Sequence, residues 1–432
     1  MKESRWNVYY FKKGNNIYTY ESIDKLKNIS YDKNCRFMIA NTLTRCAIEL
    51  DECNFNILKN RSYNFSCDDA NILMEQGVFV DDHYNELDHL DKLRKYHIFD
   101  DSVSNLIICP TLDCNFNCSY CYEQKEKGFM SILVQNKLLQ FYEQLLKSGL
   151  KSVTITWYGG EPLLYPYIIQ NLSKKLSSLA KKFKSNISFS IISNGYCISP
   201  KIVKLFKELN LETIQITLDG LADTHNLRRS LKDGSKTFDV ILKNIIILSE
   251  AGIKVKVRVN LDKSNIDQFD KVRRLLPDNV IVYPALVTKE STQSSEIQNQ
   301  CLKCSDFLNV FADNRLLMPR TYGQLNSISV ICSGEHIKSF VIAPTGEVYK
   351  CINDIGIKRM SIGSLFDTDN LSNSKNYKAY IERDPFKEKE CANCSYIPLC
   401  YGACFNEFLK NGKHSCVPNR YYFDEISKQF LI

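Results

Sequence analysis

The chain has 432 residues, of which 44% are hydrophobic and 24% are charged, and its formal net charge is +7 at pH 7. Its length allows two or three domains, because a single hydrophobic core stops growing at about 250 to 300 residues. The composition excludes a disordered or low-complexity chain and predicts a folded globular protein.

The sequence contains no membrane or export signal that we recognise. No stretch approaches the roughly 20 apolar residues that span a bilayer, and the N-terminus has no apolar segment of signal-peptide length. We therefore expect a cytoplasmic protein without a membrane partner. The lysines are spread along predicted helices, as in residues 174–184, which is typical of a solvated face, so we expect no nucleic-acid partner. Eighteen cysteines in a reducing compartment favour metal ligands or catalysts over disulfides.

Residues 1–100 have no clustered cysteines and predict a separate module. Residues 35–51, CRFMIANTLTRCAIELD, predict a hairpin of two apolar strands around NTLT. Short helices are predicted in ECNFNILKN and CDDANILMEQG, the second with Asp68 and Asp69 as cap and first-turn acids and Gly77 as its stop. Residues 81–101 then predict an acidic-to-basic connecting helix or linker. A hairpin followed by helices is compatible with a winged-helix module.

From residue 105 onward, strand-like runs rich in Val and Ile alternate with amphipathic segments. The six runs are LIICPT, SVTITWYGG, ISFSIISNG, ETIQITLDG, KVKVRVNLD and VIVYPALV. Such alternation predicts right-handed strand–helix–strand units with a parallel sheet. The expected fold class is therefore α/β, with a six-stranded partial or complete (β/α)6 barrel.

Chemically distinctive residues follow four of these strands. The segments are Cys114, Cys118 and Cys121 after the first strand, GGEP (159–162) after the second, SNG (193–195) after the third and LDG (218–220) after the fourth. Parallel strand–helix folds bind ligands at the carboxyl ends of their strands. We therefore expect the four segments to meet at one mouth.

The three clustered cysteines predict a metal site with an open position. Three thiolates can hold three irons of a cubane cluster and leave the fourth iron without a protein ligand. The alternative is a zinc site completed by a cysteine elsewhere, such as Cys109. Tyr120 and the Gly-Gly-Glu-Pro sequence have no role in a zinc site, which favours the cluster.

The C-x3-C-x2-C spacing, with an aromatic residue before the last cysteine and GGEP one strand later, resembles the radical S-adenosylmethionine superfamily over residues 105–290. The resemblance implies that the three cysteines hold a [4Fe-4S] cluster whose open iron binds the amino and carboxylate groups of S-adenosylmethionine. It also implies one-electron cleavage of that cofactor to methionine and a 5'-deoxyadenosyl radical. The radical would abstract a hydrogen atom from the substrate.

We assign ten residues to cofactor binding: Tyr120, Gly159, Gly160, Glu161, Pro162, Ser193, Asn194, Thr217, Asp219 and Arg258. The two glycines permit close backbone approach, and Glu161 can accept a hydrogen bond from the cofactor's ammonium group. Arg258 is the candidate cation for the carboxylate, with Thr217 and Ser193 as hydroxyl donors to the ribose or carboxylate. Tyr120 is expected to lie against the adenine.

The segment ITLDGLADTHNLRR (216–229) resembles the branch of the superfamily that carries auxiliary clusters. Asp219, His225 and Arg228 are expected to face the cavity. Other interpretations stay open, because a lone histidine is more often a surface or packed residue and Arg258 would also suit a structural ion pair.

Cysteines return in the C-terminal part, at positions 332, 351, 391, 394, 400, 404 and 416, and the array resembles the SPASM domain of radical enzymes that act on peptides and proteins. The resemblance implies a distal auxiliary cluster on Cys391, Cys394, Cys400 and Cys416. It implies three ligands of a cluster nearer the substrate from Cys332, Cys351 and Cys404. The expected cofactors are thus S-adenosylmethionine and three [4Fe-4S] clusters.

The nearer auxiliary cluster is one ligand short in this sequence. Either it has an open iron that could bind a substrate thiolate, or Cys301 or Cys304 completes it. A zinc ribbon built on the C-x2-C pair at Cys391 and Cys394 is the alternative for this region.

Two further features separate the possible reactions. Sulfatase-maturing enzymes usually carry an aspartate directly after the cysteine that matches Cys351, whereas this sequence has Ile352. The N-terminal module, with NTLTRCAIELD and MEQGVFVDD, resembles the leader-recognition domain of enzymes that modify ribosomally made peptides. Such a module binds a leader by adding it as a strand to an exposed hairpin edge. A purely structural cap is the alternative.

We therefore predict a radical peptide maturase that forms a cross-link, a thioether from a cysteine sulfur, in a precursor peptide with a leader. Formylglycine formation, epimerisation and carbon–carbon linkage are alternative reactions, and a multi-cluster electron carrier is the non-enzyme alternative. A reductant such as flavodoxin or ferredoxin is the second expected partner. The predicted domains are a leader-recognition domain (1–100), a radical domain (101–290) and a SPASM domain (291–432).

Overall fold

The computed structural model describes residues 1–27, 31, 34–287, 295–302, 331–412, 416 and 418–431. Cys304 and residues 288–294 lie outside the described residues. One unit of the chain contains Met1–His97, Cys332 and Asp384–Ile432, and the other contains Ile98–Lys303 and Ser333–Arg383. None of the helices described is both long and apolar enough to cross a membrane.

The N-terminal part of the first unit is built on antiparallel strands. These are β1 (Lys2–Glu3), β2 (Asn7–Lys13), β3 (Asn16–Tyr20), β4 (Arg36–Asn41), β5 (Ala47–Leu50) and β6 (Phe79–Val80). The order in the four-stranded sheet is β3-β2-β4-β5, and β1 pairs with β6. The hairpin predicted around NTLT is confirmed as β4 and β5, whereas the β2–β3 hairpin was not predicted.

Three helices follow these strands: α1 (Glu52–Lys59), α2 (Cys67–Glu75) and α3 (Glu86–Ile98). The two predicted short helices and the connecting helix are therefore confirmed. The predicted cap of α2 was wrong, because Ser66 is the cap and its hydroxyl oxygen accepts a hydrogen bond from the Asp69 amide at 3.1 Å. Asp68 and Asp69 both lie in the first turn, where their charges favour the positive end of the helix dipole.

The second unit contains a nine-stranded sheet. Its strands are β7 (Val103–Ile108), β8 (Ser152–Trp157), β9 (Asn186–Ser193), β10 (Thr213–Thr217), β11 (Val255–Leu261), β12 (Ile281–Leu286), β13 (Phe340–Ile342), β14 (Glu347–Tyr349) and β15 (Gly363–Ser364). Strands β7 to β12 are parallel and lie side by side in chain order. The six predicted strands and their parallel pairing are thus confirmed. Strand β13 adds to β7 in parallel, and β14 and β15 continue the sheet in antiparallel sense.

Helices separate the parallel strands, as the sequence pattern predicted. They are α4 (Ile132–Lys147), α5 (Pro166–Lys182), α6 (Pro200–Glu208), α7 (Ala222–Arg228), α8 (Phe238–Glu250) and α9 (Phe269–Arg274), and α10 (Ser295–Gln300) and α11 (Lys375–Ile381) come later in the unit. Alternate side chains of β8, from Val153 to Trp157, are buried. Because β7 to β12 all run in one direction, their carboxyl ends share one edge of the sheet.

The C-terminal segment belongs to the first unit and contains α12 (Lys389–Ala392), α13 (Phe405–Asn411) and α14 (Pro418–Gln429). Its buried side chains Tyr396, Leu399 and Phe423 share a core with Val8, Tyr10, Met38 and Ala40 of β2 and β4. Asp424 accepts hydrogen bonds from the hydroxyl groups of Tyr10, at 2.8 Å, and Tyr396, at 2.7 Å. One face of the N-terminal sheet is therefore buried by the C-terminal segment.

Candidate active site

A cavity of about 340 Å³ lies at the carboxyl ends of the parallel strands. Its walls come from the loops or strand ends of all six: residues 114–125 after β7, Tyr158 to Gly160 after β8, Ser193 and Asn194 at β9, Thr217 at β10, Arg258 and Asn260 on β11, and Leu286 and Val287 at β12. Three of the four chemically distinctive segments therefore meet at this cavity as expected, whereas LDG (218–220) does not line it and only the preceding Thr217 does.

Cys114, Cys118 and Cys121 all line this cavity. Burial raises the pKa of Cys114 to about 12, and burial also raises the pKa of Cys121. In the part of the chain that the structure describes, no three His, Cys, Asp or Glu side chains converge closely enough to hold a metal ion as they stand. The donor set nevertheless suits a thiophilic iron cluster, because three sulfur ligands share one cavity wall. Cys109 is fully buried in an apolar cluster behind that wall.

The two glycines of GGEP pack against the cysteine loop. A Cβ atom at Gly159 would lie 2.2 Å from the Thr111 carbonyl oxygen, and one at Gly160 would lie 2.3 Å from the Asp113 carbonyl oxygen. The Gly160 amide donates to the Thr111 carbonyl at 3.2 Å. The close backbone approach that the sequence predicted thus joins two protein loops, and it sets the position of the segment that leads into Cys114.

Glu161 is fully buried and does not line the cavity. Its carboxylate accepts hydrogen bonds from the Leu163 amide at 2.9 Å, the Ser193 hydroxyl at 2.9 Å and the Asn194 amide at 2.7 Å. Burial raises the pKa of Glu161 to about 7. Glu161 therefore fastens the ends of β8 and β9 together. Pro162 is also buried and begins a short 3-10 turn.

Tyr120 joins the cysteine loop to three other elements. Its hydroxyl group is hydrogen-bonded to Asp219, and it accepts from Arg229 Nη1 at 2.6 Å and from Asn260 Nδ2 at 3.0 Å. The guanidinium carbon of Arg228 lies 5.1 Å from the centre of the Tyr120 ring, a distance at which the cation is attracted by the ring. The aromatic residue before the last cysteine is thus held in place.

Asp219, His225 and Arg228 do not line the cavity, so the expectation that they face it was wrong. His225 Nδ1 accepts from the Asp219 amide at 3.1 Å, which leaves the ring proton on Nε2 to be donated to the Thr237 hydroxyl at 3.1 Å. Burial, together with the nearby arginines, lowers the pKa of His225 to about 2. The hydroxyl of Thr237 donates in turn to the Arg229 carbonyl at 2.7 Å. These residues support the cavity wall from behind.

Arg229 is a cavity residue that the sequence analysis missed. It lies next to Arg228, and sequence alone gave no reason to prefer the second arginine of the pair. Its Nε is buried and has no hydrogen-bond partner among the described residues. Arg258, the predicted cation, also lines the cavity and donates from Nε to Asn260 Oδ1 at 2.8 Å. The cavity therefore contains two guanidinium groups.

A second missed group lies on another part of the wall. The hydroxyl oxygens of Tyr122 and Tyr158 are 2.6 Å apart. Burial raises the pKa of the neighbouring Glu123 to about 7, and its contact with Tyr158 opposes that rise. All three line the cavity with Ile352, which packs against the apolar cluster that contains Tyr158. No spacing pattern in the sequence marks these residues.

The C-terminal cysteines divide between the two units. Cys351 belongs to the unit with the cavity, whereas the first unit contains Cys332, Cys391, Cys394, Cys400, Cys404 and Cys416. Burial is the main cause that raises the pKa of Cys400 to about 11, and Cys394 and Cys416 add to the rise. Cys301 is buried, with its sulfur 3.4 Å from the Ile297 carbonyl oxygen. The assignment of these cysteines to clusters stays a prediction.

Residues 108–276 match the family model described as the Radical SAM superfamily. The chain therefore contains a radical SAM domain. The matched residues begin in β7, include the three cavity cysteines and end just beyond α9.

Two curated relatives match most of the chain. The radical SAM cyclopropyl synthase TigE of Paramaledivibacter caminithermalis is 23% identical over 407 residues, which cover 87% of this chain and 83% of the relative. The cysteine-type anaerobic sulfatase-maturating enzyme of Clostridium novyi is 25% identical over 336 residues, which cover 70% of this chain and 88% of the relative.

Two solved structures share the fold. Native anSMEcpe with bound AdoMet and Kp18Cys peptide has a TM-score of 0.62 at 19% identity, covering 76% of this chain and 98% of that chain. SuiB of Streptococcus suis bound to the precursor peptide SuiA has a TM-score of 0.56 at 17% identity, covering 88% and 95%. The α/β fold with a mostly parallel central sheet is therefore the radical SAM fold.

Proposed function

We propose that this chain is a radical SAM peptide maturase that installs a cross-link, a thioether from a cysteine sulfur, in a ribosomally made precursor peptide. The observation that carries the proposal is that Cys114, Cys118 and Cys121 line one cavity with Gly159 and Ser193 at the strand ends and Arg229 after α7. One relative is by name a sulfatase-maturating enzyme, and anSMEcpe, which shares the fold, has been solved with a bound Kp18Cys peptide. A peptide is therefore the substrate class that we assign.

The three cavity cysteines would hold a [4Fe-4S] cluster and S-adenosylmethionine would bind beside it. When bound, this pair supplies a 5'-deoxyadenosyl radical that removes a hydrogen atom from the substrate. The protein's own contribution is positional: the Gly159–Gly160 contact with the cysteine loop fixes the thiols relative to the strand ends. Apolar side chains such as Ile192 and Leu286 line the same cavity and would keep water away from a reactive intermediate.

Arg229 is our preferred cation for the cofactor carboxylate, ahead of Arg258. Its buried Nε still needs an acceptor among the described residues, whereas the Nε of Arg258 already donates to Asn260. A planar guanidinium offers two parallel donors to a carboxylate. Thr217 remains a candidate hydroxyl donor on the cavity wall, while the hydroxyl proton of Ser193 is given to Glu161.

The N-terminal module would recognise the leader of the precursor peptide. In the four-stranded sheet, β3 and β5 are the outer strands, so each has one side that no described strand of this sheet covers. An extended peptide can pair with such an edge through backbone hydrogen bonds. A related fold, that of SuiB, has been solved with its precursor peptide SuiA.

Two auxiliary clusters complete the proposal. Cys391, Cys394, Cys400 and Cys416 would hold the distal cluster, and the three thiols among them that influence one another's pKa support this grouping. Cys332, Cys351 and Cys404 would contribute to the nearer cluster, with Cys301, Cys304 or a substrate thiolate as the remaining ligand.

Two other reactions have specific support. Formylglycine formation is favoured by the similarity to a sulfatase-maturating enzyme, although Ile352 offers no polar atom after Cys351. Carbon–carbon bond formation is favoured by the similarity to a cyclopropyl synthase. The three reactions change a peptide in different ways, so one experiment separates them.

The test is anaerobic co-expression of this chain with the short cysteine-containing peptides encoded beside it, followed by mass analysis. A thioether predicts the loss of two hydrogen atoms and one fewer thiol that can be alkylated. Formylglycine formation predicts the loss of sulfur, and a carbon–carbon linkage predicts loss of hydrogen with every thiol retained. The triple variant Cys114→Ala, Cys118→Ala, Cys121→Ala is the control. Peptides that it modifies as the wild-type chain does would contradict the proposal.

A further inference from the structure

We infer that Glu123, held by Tyr158, is a substrate-binding residue whose carboxylate accepts a hydrogen bond from a thiol, hydroxyl or amide donor on the peptide residue being modified. The inference rests on the proposed function and adds to it the group that orients the substrate. Nothing in the sequence motifs assigns a role to Glu123, which follows the last cavity cysteine by two positions.

The Glu123 carboxyl group lies beside the Tyr158 hydroxyl, and this contact opposes the rise of the Glu123 pKa that burial causes. The hydroxyl oxygens of Tyr122 and Tyr158 are 2.6 Å apart, and either can be the donor. Glu123, Tyr122 and Tyr158 all line the cavity, so the tyrosine pair stands beside the Glu123 acceptor on the cavity wall.

Glu123, which is partly exposed, differs from the fully buried Glu161 of the same region. The Glu161 carboxylate accepts three hydrogen bonds from the protein and does not line the cavity. A carboxylate has about four acceptor positions, and Glu123, on the cavity wall, can therefore still receive a donor from a bound molecule. Glu161 is placed to link two segments of the protein, whereas Glu123 is placed to bind a molecule in the cavity.

The surroundings of Glu123 favour the peptide over the cofactor as its ligand. Glu123 stands on the wall formed with Tyr158 and Ile352, and these two pack in one apolar cluster. Arg229, which we assign to the cofactor carboxylate, comes from a different segment, the one that follows α7. A polar acceptor between apolar side chains would orient one donor of a substrate residue and leave its carbon atoms in apolar contact.

The test compares Glu123→Ala, Glu123→Gln and Tyr158→Phe with the control Glu126→Gln, a change of an exposed glutamate on the same loop. Each reconstituted protein is given S-adenosylmethionine, dithionite and the purified precursor peptide used for co-expression. Modified peptide and 5'-deoxyadenosine are measured together. Their ratio reports how well substrate position is coupled to radical formation, and a purely structural role would not move it.

We expect Glu123→Ala to lower the yield of modified peptide roughly 10- to 100-fold, the loss typical of a hydrogen bond to a charged group. Its formation of 5'-deoxyadenosine without peptide should stay within about 2-fold of wild type, because the cofactor groups are untouched. Glu123→Gln keeps an acceptor atom, so its yield of modified peptide should decrease less. Tyr158→Phe should raise the number of deoxyadenosine molecules formed per modified peptide.

Two results would overturn the inference. One is a Glu123→Ala variant with the wild-type ratio of deoxyadenosine to modified peptide. The other is an equal loss of iron, deoxyadenosine and product in Glu123→Ala and Tyr158→Phe, which would make the cluster of side chains structural. Failure of the proposed function looks different, because the wild-type chain itself would then form deoxyadenosine and leave the peptide unmodified.

Discussion

Arg229 donates a hydrogen bond to the hydroxyl oxygen of Tyr120, with 2.6 Å between Nη1 and that oxygen. Tyr120 precedes the last of the three cavity cysteines, and Arg229 follows α7, so the contact ties a cation to the cysteine loop. The Arg229 Nε is buried and has no partner in the described chain. Since an unpaired buried donor is costly, a ligand with an acceptor at this point would relieve that cost.

The two cavity arginines should differ in their effect on cofactor affinity. We expect Arg229→Met to weaken S-adenosylmethionine binding about 10- to 100-fold, because a charge-assisted hydrogen bond contributes roughly 1.5 to 3 kcal/mol. Arg258→Met, whose Nε is already used by Asn260, should weaken binding several-fold less. Anaerobic calorimetric titration of the reconstituted proteins measures both dissociation constants. A larger loss of S-adenosylmethionine affinity in Arg258→Met than in Arg229→Met would assign the cofactor carboxylate to Arg258 instead.

The contact between the GGEP loop and the cysteine loop should tolerate no side chain at Gly159. Gly159→Ala places a Cβ 2.2 Å from the Thr111 carbonyl oxygen at a backbone φ of +118°, so we expect loss of bound iron and of 5'-deoxyadenosine formation. Gly234→Ala is the matched control, since Gly234 also has positive φ, at +84°, but nothing within 4 Å of the added Cβ. It should show only backbone strain, of about 1 to 2 kcal/mol. Iron content of the two purified variants measures the difference.

The strands were predictable because their sequence pattern is local. Val153 and Trp157 bury alternate positions of β8, and β7 and β9 show the same alternation. Strands β13 to β15 have two or three residues each, which is too short for any periodicity. They form because β7 has a free edge to pair with, and that edge is a property of the folded sheet.

Site residues that belong to a sequence motif were predictable. Residues whose position depends on the path of the folded chain were not. The three cysteines and Gly159 lie where the pattern indicated. Arg228 and Arg229 are adjacent in sequence, and only the path of the chain after α7 puts the second at the cavity. Glu123 is defined by its contact with Tyr158, which is distant in sequence and reaches the same wall from β8.

His225 should make stability fall in mild acid. Its pKa is about 2 in the folded chain because of burial, against about 6.5 in an unfolded chain. Below pH 6.5 the unfolded state binds a proton that the folded state does not bind, so the free energy of unfolding decreases by about 1.4 kcal/mol per pH unit until the folded pKa is reached. Urea unfolding at pH 7.5 and pH 5.5 should show about this loss for the wild-type chain.

The variant that tests this assignment is His225→Gln, in which no imidazole remains to be protonated. We expect lower stability at pH 7.5, because the contacts to Asp219 and Thr237 are disturbed, and a smaller decrease between pH 7.5 and pH 5.5. His97→Gln, at an exposed position, should retain the wild-type pH dependence. An unchanged pH dependence in His225→Gln would assign the acid sensitivity to other groups.

The iron content of alanine variants should distinguish the cysteines that bind clusters from a cysteine that only packs in the core. Replacement of Cys114, Cys118 and Cys121 by alanine should remove about four irons per chain, the content of one [4Fe-4S] cluster. Replacement of Cys391, Cys394, Cys400 and Cys416 should remove about four others and leave the cavity site loaded. Cys109→Ala is the control, because Cys109 is fully buried among apolar side chains and away from the cavity. This variant should retain the iron content of the wild-type chain and lose only packing contacts. Loss of metal from Cys109→Ala would instead support the alternative in which Cys109 is a metal ligand.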